Sequence, residues 1–163
     1  MAQGRVYTVI FDNVAVTAAQ DFFALRPAAG KPIRLLAIDI GQTNRVGDAN
    51  EDMLRWEIKV FTGATLTAGT GGTAPTPQVV HATDQAAGFT SRVNDTTRAS
   101  TTGTTSVKHA STFNTRVGLL WVPPPEVLIE CADSTNGDLI VGTAEAVSAS
   151  TTMSGTAYVE ELG

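Results

Sequence analysis

The chain has 163 residues and a formal net charge of -5, with 17% charged and 42% hydrophobic residues. That length suits one domain with a core of its own, so 1–163 reads as a single domain with residues 1–5 as an N-terminal arm. Acidic residues are spread along the chain and not gathered in a tail, so its field does not favour a phosphate backbone, and no nucleic-acid partner is expected. The opening residues lack the charged and apolar regions of a signal peptide, and no apolar run reaches membrane-spanning length. The expectation is a protein made and kept soluble in a cytoplasm, with no membrane partner. One cysteine, Cys131, rules out an internal disulfide framework and, lying in an apolar run, reads as a buried inert thiol.

Strands are expected in series. Val6 to Phe11 is β-branched and aromatic, closed by the turn signal Asp12-Asn13. Thr17 to Gln20 fits a helix capping box ahead of Phe22, Phe23 and Leu25, but that helix would be about two turns long. Thr17 to Leu25 is therefore read as extended, with helix as the alternative. Ile33 to Ile40 is apolar on both faces for much of its length, which places it mid-sheet or at an interface and favours a homo-oligomer. After the polar loop Gln42 to Asp52, residues Leu54 to Phe61 alternate. Leu54, Trp56, Ile58 and Val60 should face a core, and Arg55, Glu57 and Lys59 should point into solvent or a polar interface.

Gly63 to Pro77 is a long Thr/Gly/Ala/Pro stretch without periodicity. With Asn94 to Thr105 it is expected to stay mobile until a neighbouring subunit holds it, so that deleting Thr65 to Ala74 would spare stability. Short strands follow at Gln78 to His81, Phe89 to Val93 and Ser106 to His109. Stronger ones follow at Arg116 to Val122, Glu126 to Cys131, Leu139 to Thr143 and Thr156 to Glu160, with Pro123-Pro124-Pro125 and Asn136-Gly137 as breaks. The fold class is all-β: an antiparallel two-sheet β-sandwich, jelly-roll-like, with long Thr/Gly-rich loops. An immunoglobulin arrangement ranks below it because the Cys…Trp…Cys spacing is absent.

No residue takes a catalytic, cofactor-binding or metal role in this reading, and the protein is expected to act by binding, not as an enzyme. His81 and His109 stand alone in sequence, without a second ligand at metal spacing. Asp133 to Asp138 looks oxygen-rich, but Thr135 and Gly137 fall at calcium-ligand positions and no Glu stands at the twelfth, so a hairpin turn is expected. Gly69-Thr70-Gly71-Gly72 has a phosphate loop's glycines without its lysine or helix. Asp48, Glu51 and Asp52 read as solvated loop acids, and Asn94-Asp95-Thr96 matches a glycosylation acceptor that matters only on secretion. Of eleven basic residues only Lys31, Lys59 and Lys108 are lysine, a bias that fits protein–protein contacts or a GC-rich genome equally.

The strand Arg5-Val6-Tyr7-Thr8-Val9, the segment Ala15 to Phe23 and the strand Met153 to Glu161 give the chain a resemblance to small virion proteins of tailed bacteriophages. It is most similar to capsid decoration, or cement, proteins with a jelly-roll fold. The resemblance implies a homotrimer on the outside of a phage head, bound to the major capsid protein and bridging neighbouring capsid subunits, assembled in the host cytoplasm. It carries over no functional residue. A phage tail or host-adsorption component and a carbohydrate-binding jelly-roll module are the alternatives, the latter weakened by an aromatic content of 6%.

Overall fold

The computed structural model describes residues 4–43, 53–63, 65–132, 137, 139–145 and 151–163. Its long strands pair from the chain ends inward. β1 (Arg5–Val16) pairs with β13 (Thr151–Glu161), and β2 (Gln20–Arg26) pairs with β12 (Leu139–Ala144). β3 (Ile33–Gln42) pairs with both β10 (Leu119–Trp121) and β11 (Ile129–Cys131), and β4 (Met53–Thr62) pairs with β9 (Thr104–Asn114). The chain is thus one long hairpin of nested antiparallel pairs. It rolls up because β13 also pairs with β3, and β12 with β4. Two sheets result: β10-β3-β13-β1-β6, with β11 also on β3, and β7-β2-β12-β4-β9, where β6 is Gln78–Val79 and β7 is Thr90–Asp95. Alternate long strands going to alternate sheets make this a jelly roll.

Period-2 patterning drives the assembly. Leu54, Trp56, Ile58 and Val60 enter the core with Tyr7, Val9 and Phe11 from the facing sheet. Phe11 stacks on Phe22 at 5.7 Å and meets Phe23 at 5.2 Å; the β2–β12 register shift skips Phe22, so neighbouring residues both reach inward. The extended reading of Thr17 to Leu25 therefore holds.

Several expectations need correction. Asp12-Asn13 does not end the first strand: Asn13 takes φ 54° in a bulge, Ser154 Oγ accepts its N–H and donates to Asp12 Oδ1, and pairing resumes at Val14. Ile33 to Ile40 needs no partner to cover it. Leu36 is an extra residue opposite Tyr158 and Val159, which shifts the pattern so that Arg34 and Asp39 face outward while Ile33, Leu35, Ile38 and Ile40 face in. Arg116 to Gly118 is a turn carrying the chain from one sheet to the other, and Pro125–Val127 is a 3-10 turn, so only Leu119–Trp121 and Ile129–Cys131 remain strand. The short strand expected at Ser106 to His109 is present but longer, an eleven-residue β9 that also takes in Thr104 and Thr105.

The stretch Gly63 to Pro77 is pinned, not free. β5 (Leu66–Thr67) pairs with β8 (Ser100–Thr101), and Thr70 and Thr97 exchange backbone hydrogen bonds at 3.0 Å each. The segment roofs the outer face of the second sheet, where Ala24, Phe61 and Leu139 form a second apolar cluster with Ala99 and Leu66. Those side chains are apolar and point away from the main core, so they require this cover.

Candidate functional site

The two lateral sides of the sandwich differ. On one, β6 caps β1 and Val80 N–H donates to Val6 O at 3.0 Å, while Thr73 and Val93 exchange two hydrogen bonds of 3.0 and 2.8 Å along β7. On the other, β9 edges the second sheet, and β10 and β11 edge the first. Among the described residues no further strand lies beside these edges. The segment linking these strands carries the largest aliphatic exposure of the described residues: Val117 84%, Leu120 70%, Val122 63% and Val127 58%. Pro123, Pro124 and Pro125 lie among them, where the chain leaves β3 opposite Ile38 and returns opposite Leu35.

Strand addition at this edge is hindered. Ile58 pairs with His109 and Lys59 with Val107, which leaves Lys108 as a bulge residue on the edge strand. A bulge and a lysine are devices that keep edges from pairing, so this side is suited to contact through side chains. Behind it the core is sealed by an aromatic trio: His109 lies 5.0 Å from Trp56 and 5.5 Å from Trp121, and the indoles are 6.2 Å apart. Trp56 is fully buried, and its Nε1 has no partner among the described residues. Trp121 packs against the core from the edge, so neither indole offers a flat exposed platform for a sugar.

His81 lies in an exposed turn beyond β6, on the side opposite His109, so the two histidines do not meet. Among the described residues no group of three or more His, Cys, Asp or Glu could hold a metal ion. Cys131 is buried in β11, as expected. Gly69 to Gly72 serve close approach: Gly69 is buried against Asp95, and Gly72 N–H donates to Asp95 Oδ1 at 3.0 Å. Asn94 is buried at φ 56° with its Oδ1 accepting from Gln20 Nε2 at 3.1 Å, which leaves no room for a glycan. Asp48, Glu51 and Asp52, and the Asp133 to Asp138 turn apart from Gly137, lie outside the described residues.

Arginine is spent largely inside the chain. Arg34 pairs with Glu130 at 2.8 Å, Arg92 with Asp95 at 2.7 Å, Arg98 with Glu145 at 3.6 Å, and Arg55 with Glu57. Glu57 points away from the core as expected, and of the two settings expected for it takes the polar one. It sits on the outward face but is buried between Arg55 and Lys59, and the Lys59 hydrogen bond chiefly holds its carboxyl below the usual range. Tyr7, buried with its hydroxyl donating to Gln85 O at 3.0 Å, is pushed up first by burial and then by the Glu161 carboxylate. These groups tie strands and loops together. No protein-family model matches the chain, nor does any curated protein or solved structure.

Proposed function

We propose that the chain is a structural virion protein, a decoration protein that binds the outside of a tailed-phage head and stabilises it by bridging neighbouring subunits of the major capsid protein. The observation that carries this reading is the open lateral side, where exposed aliphatics cluster on a rigid sandwich edge guarded against strand pairing. Such a surface suits docking onto protein. The jelly-roll architecture and the sequence resemblance support it. So does the deployment of titratable side chains such as Glu57, Asp95 and Glu161 in internal pairs, not in a cleft. Self-association as a homotrimer belongs to the same reading.

Electron microscopy of particles assembled with and without the protein tests this. Density on the head surface, and heads less resistant to heat or chelator when the protein is missing, are expected. Density at the tail tip would move the protein to a host-adsorption role. Particles that carry none of it and lose nothing in its absence would end both readings.

A further inference from the structure

We infer that the protein holds a binding site for a small aliphatic carboxylate, set between the second sheet and the segment that roofs it. A cavity of about 120 Å³ opens there, floored by buried Ala24 and Leu139 and walled by Leu66 and Ala68. Its charged wall lies on β2 and β7, towards the capped side of the sandwich and away from the exposed aliphatics of the open side. It is therefore separate from the docking role proposed above.

Two arginines supply the charge. In the β2–β7 register Arg26 pairs with Thr90 and Ala24 with Arg92, so Arg26 and Arg92 are diagonal neighbours on one face, within reach of one small anion. Arg92 is held in place: its Nε donates to Asp95 Oδ2 at 2.8 Å and its Nη2 to Oδ1 at 2.7 Å, and the fully buried Asp95 also accepts the Gly72 N–H. Those bonds use two of the five N–H donors of the guanidinium and leave the others for a ligand. Arg26 is different. Among the described residues it is the one arginine without a hydrogen-bond or ion-pair partner. No Asp or Glu lines the cavity, so with Asp95 balancing Arg92 one positive charge is left over. The two kinds of wall select the ligand. A compact anion such as phosphate would leave Ala24, Leu66 and Leu139 without contact, and a neutral hydrocarbon would leave Arg26 unmatched. A carboxylate with a short aliphatic tail satisfies both. An apolar cavity of about 150 Å³ takes a six-carbon ring, so this one suits a tail of about four or five carbons. A free short-chain acid has this chemistry, and so does the end of a polypeptide that finishes in leucine.

Amide NMR titration of the full chain with isovalerate, at constant ionic strength, tests this. Saturable shifts are expected at Ala24, Leu66, Ala68, Thr90 and Arg92. Isovaleramide has the same shape without the charge, and acetate the same charge without the tail; each should bind about tenfold more weakly. Arg26→Leu should weaken isovalerate about tenfold and leave isovaleramide unchanged, a pattern that a general loss of structure would not give. Ala68→Leu, which fills the wall, should abolish isovalerate binding without lowering the melting temperature. N-acetyl-glycyl-leucine presents the same chemistry on a chain end. Saturation by either probe supports the site, and the tighter of the two identifies the source. No saturable shift with either up to about 50 mM, far above the millimolar range open to so small a ligand, overturns the inference. So does isovaleramide binding as tightly as isovalerate, or Arg26→Leu binding isovalerate like the wild type.

Discussion

Replacing Gly72 by alanine tests whether the Thr/Gly-rich stretch is part of the fold. A Cβ there would lie 2.0 Å from Val93 O and 2.6 Å from Asn94 C, both backbone atoms that cannot swing aside. The loop must therefore lift. Lifting breaks the two Thr73–Val93 backbone hydrogen bonds, about 1 kcal/mol each, and the Gly72 N–H bond to the Asp95 carboxylate, about 2 kcal/mol. Alanine restricts the unfolded chain and returns roughly 0.5–1 kcal/mol, and water regains part of the exposed pairing. The expected net loss is about 2–3 kcal/mol, read as a lower urea midpoint at unchanged slope. Gly41→Ala is the control, since a Cβ there meets nothing within 4 Å and its φ is not positive. A Gly72→Ala loss below about 0.5 kcal/mol would refute the pinned loop and restore the picture of a free assembly arm.

Trp56→Ala should cost about 3–5 kcal/mol in the same assay, because a fully buried indole leaves a cavity that β9 and β10 cannot close; a loss under about 1 kcal/mol would break the assigned register. Glu57→Gln should destabilise at neutral pH. The folded carboxyl titrates below 4.5, so its contribution is complete above that pH and fades as pH falls through the depressed value. Wild type and variant should therefore converge in acid, and an undiminished difference at pH 2 would contradict the Lys59 pairing. Nested pairing of first strand with last should make folding slow, on the order of milliseconds to seconds by stopped flow; microsecond folding would be incompatible with this topology.

Much of the sheet structure was legible because alternation records which face of a strand is covered. Leu54 to Val60 shows this in seven residues. Alternation records neither pairing partners nor bulges, so Asp12-Asn13 read as a stop although Ser154, 141 residues away in sequence from Asn13, satisfies the backbone there. The same blindness shortened β9 to Ser106 to His109, because its flanking Thr and Ser side chains signal exposure at an edge more than they signal strand. Gly63 to Pro77 looked unstructured because its stabilising partners, Val93, Asp95, Thr97 and Thr101, are distant in sequence. Solvent and a polar setting stayed open for Glu57 because its cover, Arg55 and Lys59, sits on its own strand and folds over it. The open side left one trace, aliphatic residues set around three consecutive prolines, and that trace gains meaning only once β9 and β10 are known to be edges.

The use of chain length argues for a purpose at that edge. Between Gly63 and Gly103 the protein spends two small strands, two isolated bridges and three close-packed glycines to roof the second sheet and cap β7. Between Thr104 and Cys131 it does the opposite, leaving four aliphatics bare within eleven residues. Single exposed aliphatics are ordinary on any surface and need no account. A cluster along one uncapped side is different: it lowers solubility with no return unless something covers it. The lysine bulge on β9 sharpens the point, because it blocks indiscriminate strand addition while leaving the side chains free to dock. Protection from one kind of contact together with exposure to another is the pattern of a surface that binds a chosen partner.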